Sequence, residues 1–259
     1  MNLVLVCVGD WHIGTNVPKS VEDLPNRHDR QHTATLTSVG TSQVIATGNW
    51  LRANGLKNFD QCLMPESRPA RETAYRLGFE DAEWNVRSEL TGHTWEHIGP
   101  IGNRDRYSGC ATELTAQPNR DLRYWAPPKF EPPNQVIIRL LPLFTELIQS
   151  NDSGHSNALI VGDIDTLLAF QIMLERPWPS KIRSTLSSGI PAQQVHAGQC
   201  FHYTRTDPNS RVVATELAWS RNVLPHIGTP RLQAMDREKF MCFAQQGFTH
   251  EELKAEFGN

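Results

Sequence analysis

Two short apolar runs constrain this chain more than anything else in it. Leu3 to Val8 is a compact run closed by Gly9-Asp10, and Asn157 to Val161 is a second, closed by Gly162-Asp163. Runs that are continuously apolar rather than alternating belong to strands buried on both faces, as in the centre of a parallel sheet. Parallel neighbours cannot be joined by tight turns and need crossovers, usually helical. The intervening sequence supplies them. The expected fold is therefore α/β: a three-layer α/β/α sandwich with a mostly parallel sheet and a C-terminal helical tail.

The crossover elements are legible by period and punctuation. Leu36-Thr37-Ser38 opens a helix carrying Val39, Val44, Ile45, Trp50 and Leu51, and Asn54-Gly55 stops it. Phe59 to Met64 reads as a strand ended by Pro65, and Arg71 to Leu77 as a helix closed by Gly78. Gln135 to Ile148 is amphipathic, with Pro142 as a kink or first-turn residue. Thr166 to Leu174 is a further helix. Phe201 to Thr206 and Val212 to Ala218 suggest an edge hairpin turning at Asp207-Pro208-Asn209. Residues 1–218 are assigned to the α/β domain, with an excursion at 14–33 and an aperiodic insert at about 91–133, and 219–259 to a helical extension.

Composition narrows the class. With 39% apolar and 20% charged residues the chain can bury a core, and 25 Lys+Arg against 28 Asp+Glu give a net charge of −3, which argues against a surface built for polyanions. Nucleic-acid binding is thus not indicated. No run approaches the ~18 apolar residues of a membrane span. The five cysteines are widely spaced without a CxxC pair, and the short N-terminal apolar run has no basic leader. Both point to a reducing, cytoplasmic setting. No cofactor motif is present.

In sheets of this kind ligands bind beyond the carboxyl ends of the strands, which directs attention to Val8–His12, Pro65–Arg71 and Gly162–Asp165. Around these strand ends the order of residues resembles the histidine phosphatase, or phosphoglycerate mutase-like, superfamily. Leu36-Thr37, Gly40, Gln43, Trp50-Leu51, Gly55, Phe59-Asp60, Pro65 and Ala70-Arg71-Glu72-Thr73-Ala74 follow that family's pattern. Residues 158–174 are similar to its second catalytic segment, and the helix containing Arg139 to the one between. The resemblance spans roughly residues 2–218 and implies the same fold. It also implies where the chemistry should lie: an Arg-His-Gly-Glu after the first strand, a second phosphate-binding Arg, and a second His. In register those positions hold Cys7-Val8-Gly9-Asp10, Pro69 and Asp163.

Those replacements remove the chemistry. Val8 has no lone pair with which to attack phosphorus, and Cys7, Pro69 and Asp163 bring no positive charge to a transferring phosphoryl group. The expectation is a protein of this fold without its phosphatase activity, binding a small molecule or a protein partner. Asp10, His12, Arg68, Arg71 and Asp163 are the candidate ligand-binding residues. The alternative is a hydrolase with a displaced nucleophile such as His12, Cys7 serving only if its thiol pKa is lowered, or with a metal at Asp10, His12, Asp163 and Asp165. Against that metal stands a simpler reading of the carboxylates, in which Asp163 or Asp165 caps the following helix.

Other signals are weaker. His93-Thr94-Trp95-Glu96-His97 has an H-x-x-E-H spacing, but the flanking Gly and Pro residues break any helix that would carry it, so no metal is assigned. Where the family resemblance implies a proton donor, the register is compatible with Glu89, with Glu96 or with neither. The Arg and aromatic residues at Arg104, Arg106, Tyr107, Arg120, Arg123, Tyr124 and Trp125 suit an acidic partner or an ordinary lid of Arg–Asp pairs. The tail resembles two helices turning at Gly247, with Thr249 and Glu252 as a capping box, and suits docking or homodimer formation.

Overall fold

The computed structural model describes residues 1–13, 34–91, 133–149, 157–175, 195–225 and 233–235. The excursion at 14–33, the His93–His97 motif, the Arg-rich insert and the tail beyond Met235 lie outside the described residues. The elements are β1 (Asn2–Cys7), β2 (Trp11–Ile13), β3 (Ala34–Leu36), α1 (Ser38–Ala53), β4 (Gln61–Met64), α2 (Arg68–Arg76), β5 (Trp84–Val86), a 3₁₀ turn at Ser88–Leu90, α3 (Pro133–Gln149), β6 (Asn157–Gly162), α4 (Ile164–Glu175), β7 (Cys200–Thr204), β8 (Trp219–Val223) and β9 (Gln233–Ala234).

Seven strands form one mixed sheet in the order β5-β4-β6-β1-β7-β8-β9, and β2 pairs with β3 in a separate hairpin. The four strands from β5 to β1 are parallel, and β7, β8 and β9 extend the sheet antiparallel. The two apolar runs become neighbours, Leu3 opposite Ala158 through Cys7 opposite Gly162. Their side chains divide between two cores. Leu3, Leu5 and Cys7 pack with Leu140 and Leu143 of α3 and Leu167 and Phe170 of α4, while Val4, Val6 and Val8 pack with Val44 and Leu51 of α1 and Ala70 and Ala74 of α2. Burial on both faces is why neither run alternates.

Several boundaries differ from expectation. The helix expected from Arg71 starts at Arg68, which puts Pro69 in its first turn, where a missing N–H costs nothing. The helix expected from Thr166 starts at Ile164, so Asp163 immediately precedes it and Asp165 lies within its first turn. Pro142 is accommodated inside α3. The return strand expected at 212–218 is instead β8, paired Thr204 with Trp219. The hairpin turning at Asp207-Pro208-Asn209 forms, but only briefly: Thr206 bridges Val213 antiparallel, Ala214 N–H donates to Arg205 O (2.9 Å), and the Asp207 carboxylate accepts from Asn209 N–H (2.8 Å) and the Ser210 hydroxyl (2.9 Å). The sheet therefore continues through β8 and β9, past residue 218. Among the described residues no helix is long and apolar enough to cross a membrane.

Candidate functional site

The C-terminal ends of β1, β6 and β4 meet at one place. Val8 N–H donates to Gly162 O at 3.0 Å, so the two strand ends that the sequence singled out lie side by side, with Asp163 next in the chain. Beyond β1 the backbone is held from two directions. Gly9 N–H donates to Thr73 Oγ1 (3.1 Å), and that hydroxyl donates to Pro69 O (2.8 Å), joining the β1 end to the first turn of α2. Thr37 caps α1 by accepting from Gly40 N–H at 2.9 Å. Its hydroxyl also donates to Asp10 Oδ2 at 3.0 Å, and its N–H to Asp10 O at 2.9 Å.

Thr73 offers a measurable check on this brace. Replacing it with Val keeps the shape but leaves a buried N–H on Gly9 without an acceptor, which costs about 1–3 kcal/mol. Urea denaturation should show Thr73→Val destabilised by that amount and Thr73→Ser much less. A Val variant as stable as the parent would remove Thr73 from this role.

Among the described residues, the side chains at the first two expected catalytic positions, Cys7 and Val8, lie in different cores. Val8 is 2% exposed and lies in the α1–α2 core with Leu36 and Val44. Cys7, equally buried, faces the opposite core with α3 and α4. Pro69 is buried in the first turn of α2, and Asp163 is half-buried, its C=O accepting from Leu167 N–H at 3.0 Å. Asp10 is half-buried with its carboxylate on Thr37, whereas His12 is exposed on the β2–β3 hairpin, opposite Thr35. Among the described residues no three His, Cys, Asp or Glu side chains could hold a metal ion. The cluster of Asp10, His12, Asp163 and Asp165 is thus not among them; the Asp10 carboxylate accepts from Thr37, and His12 is exposed on the hairpin.

Glu89 is also unsuited to donating a proton. Arg87 donates to it (3.0 Å) and to Glu146 (2.9 Å), and this partner holds the Glu89 carboxyl below its usual range, whereas a general acid needs the opposite shift. Arg139, from α3, donates to Glu89 O (3.1 Å) and to Thr91 O, fixing the turn after β5 against that helix. Arg68 and Arg71 are exposed on α2, and no acceptor among the described residues takes up either side chain. Sequence reasoning missed His196, in the loop 195–199 that returns to β1. Gly198 N–H donates to Cys7 O (3.2 Å) and Cys7 N–H to Gln199 O (2.8 Å), which brings this loop to the same end of the sheet. No local signal marks such a loop, since its position depends on β7 pairing with β1.

No family model matches this chain, and neither does any curated protein. Solved structures do. A mycobacterial glucosyl-3-phosphoglycerate phosphatase superimposes with a TM-score of 0.55 at 17% identity, over 78% of this chain and 89% of that one. The alpha-ribazole phosphatase from Shigella flexneri gives 0.53 at 18% identity over 84% and 95%. A protein described as mycobacterial hydrolase 2 gives 0.56 at 16% identity over 98% and 95%. At such identities the likeness establishes the fold. It is the phosphoglycerate mutase-like α/β fold that the order of motifs implied.

Proposed function

We propose that this protein keeps the histidine phosphatase fold without phosphomonoesterase activity and serves as a ligand- or partner-binding module. One observation carries the reading: the side chain in register with the attacking histidine is Val8, closed into the α1–α2 core with its N–H committed to Gly162 O. A phosphoenzyme needs a lone pair at that atom and an open line of approach to phosphorus, and Val8 supplies neither. The charge is missing too. Phosphoryl transfer relies on cations around the equatorial oxygens, and Cys7, Pro69 and Asp163 are neutral or negative. Asp10 and Asp163 follow the ends of β1 and β6 instead, and two carboxylates there suit a ligand that is not a dianion. Cytoplasmic residence belongs to the same reading, since Cys7, Cys62 and Cys200 are buried free thiols.

The test is a panel of phosphomonoesters with and without Mg²⁺, Mn²⁺ or Zn²⁺. No turnover above the uncatalysed rate is expected under any of these conditions, and Val8→His alone should restore none, because the phosphate-binding cations stay absent. Turnover that survives Val8→Ala and is lost in His12→Ala would overturn the proposal and make the protein a hydrolase with a displaced nucleophile.

A further inference from the structure

Strand β5 closes one side of the sheet, with β4 beside it and, among the described residues, no strand beyond. Its register with β4 determines which backbone groups are left over. Trp84 lies beside Cys62 and Val86 beside Met64, and Arg87 N–H donates to Met64 O at 2.9 Å. Successive residues of a strand turn their amides to opposite sides, so Asn85 and Arg87 face β4 while the N–H and C=O of Trp84 and of Val86 face outward. Natural edges are commonly blunted by proline or lysine. The run Glu83-Trp84-Asn85-Val86-Arg87 contains neither, and Asn85 and Val86 are exposed.

The outward groups and the charges share one centre. In an antiparallel pair centred on Asn85, Trp84 of each copy lies opposite Val86 of the other. These are the outward-facing residues, and each opposed pair exchanges two hydrogen bonds. Glu83 then stands opposite Arg87 of the second copy, on the same face of the sheet. Arg87 continues the extended backbone (φ −126°, ψ 118°). Glu89 and Glu146 occupy its guanidinium except for one N–H of Nη1, and no described residue pairs with the exposed Glu83. We infer that this edge pairs with a second copy of the chain, β5 against β5, about a two-fold axis at Asn85. Isologous contacts require self-complementarity, and here the backbone and the charges supply it in the same register. Three residues of strand are too few for the roughly 800 Å² that a stable dimer buries on each partner. The rest comes from α3. Its Glu146, bonded to Arg87 at 2.9 Å, also lines a groove of about 610 Å³ with Ile138, Leu141, Pro142, Thr145 and Gln149. An axis perpendicular to the sheet keeps both α3 layers on one side, so these apolar shoulders face each other across it.

The register makes the pairing testable in the full chain. By sedimentation the parent should be a dimer at about 50 μM. Val86→Pro removes an N–H that points away from β4, so the native ladder is spared. It should weaken self-association at least about tenfold, because each dimer loses two hydrogen bonds. Asn85→Cys places two thiols at the axis, on residues whose Cα atoms are about 4.5 Å apart in such a pair, within disulfide reach. Mild oxidation should cross-link this variant into covalent dimers. It should not cross-link Val86→Cys, which lies opposite Trp84, nor the parent with its natural cysteines. Far-UV circular dichroism establishes that each variant is folded. A parent that is monomeric at this concentration overturns the inference. So does a dimer indifferent to Val86→Pro, or cross-linking of Val86→Cys as readily as of Asn85→Cys.

Discussion

Gly40→Ala should lose about 3–5 kcal/mol of stability, among the largest effects of any single methyl group in this chain. The cause is a backbone contact. A Cβ at Gly40 would stand 2.1 Å from Asp10 O and 2.6 Å from Asp10 N, and neither atom can turn aside as the end of a flexible side chain would. The N-terminus of α1 can lie against the Gly9–Asp10 loop because position 40 has no side chain. Once pushed away, it would also forfeit the Thr37–Asp10 hydrogen bonds of 3.0 and 2.9 Å and open the core around Val8 and Val44. The lesion would be felt at the site as well as in global stability.

Gly55 provides the contrast. It lies just beyond α1 with φ +79°, and a Cβ there would meet nothing within 4 Å. Gly55→Ala should cost only the left-handed backbone penalty, about 1–2 kcal/mol. Urea denaturation of the two variants side by side separates crowding from backbone strain. Equal losses would refute the account of Gly40, because they would show that the approach to Asp10 relaxes at little cost.

The same contrast explains what could be read from the sequence. Strands β1 and β6 were legible because a strand buried on both faces must be apolar throughout, and the glycines after them mark where the chain leaves the sheet. The helices were legible to within a few residues from period and caps, and the strand ends followed from the fold class. The β2–β3 hairpin was not, because three-residue strands have no period and their partners lie more than 20 residues apart. Strand β8 was missed because the hairpin at the Asp207 turn and the left-handed Arg211 (φ 61°) is short, with Thr206 bridging Val213, and the long ladder beside β7 is then made by Trp219–Val223. At the site, the order of residues revealed which functional groups were replaced. It could not reveal that Val8 and Cys7 face opposite cores, or that Thr73 and Thr37 brace the loop, since those depend on contacts between segments distant in sequence.

Acidification should destabilise the protein through His202, well before its carboxylates are titrated. This imidazole is 4% exposed in the middle of β7, opposite Val4 of β1. Its Nδ1 accepts from Arg221 Nε at 3.1 Å, which leaves Nε2–H to donate to Asn2 Oδ1 at 2.9 Å. Arg221 is itself fixed, stacked over Trp50 at 4.5 Å and donating to Asn54 Oδ1 at 3.3 Å. The hydrogen-bond chain continues through Asn2 Nδ2 to Asn157 Oδ1 (2.9 Å) and from Asn157 N–H to Asp60 Oδ2 (2.7 Å), tying β8, β7, β1 and β6 to the loop before β4. A second proton on His202 would turn its acceptor nitrogen into a donor aimed at a guanidinium. Burial first, and Arg221 second, push its pKa from the ordinary 6.5 down to about 3. The unfolded chain takes up this proton near 6.5 and the native protein does not. The stabilisation is therefore complete above pH 6.5 and is lost as the pH falls from there towards 3, at up to about 1.4 kcal/mol per pH unit. Between pH 6.5 and 4.5 this amounts to roughly 2.5 kcal/mol. Urea midpoints across that interval should fall steeply for the parent and much less for His202→Gln, which keeps a neutral polar group in place. Parallel slopes for the two proteins would mean that the native state accommodates the proton and that the Arg221–His202–Asn2 chain is not what resists it.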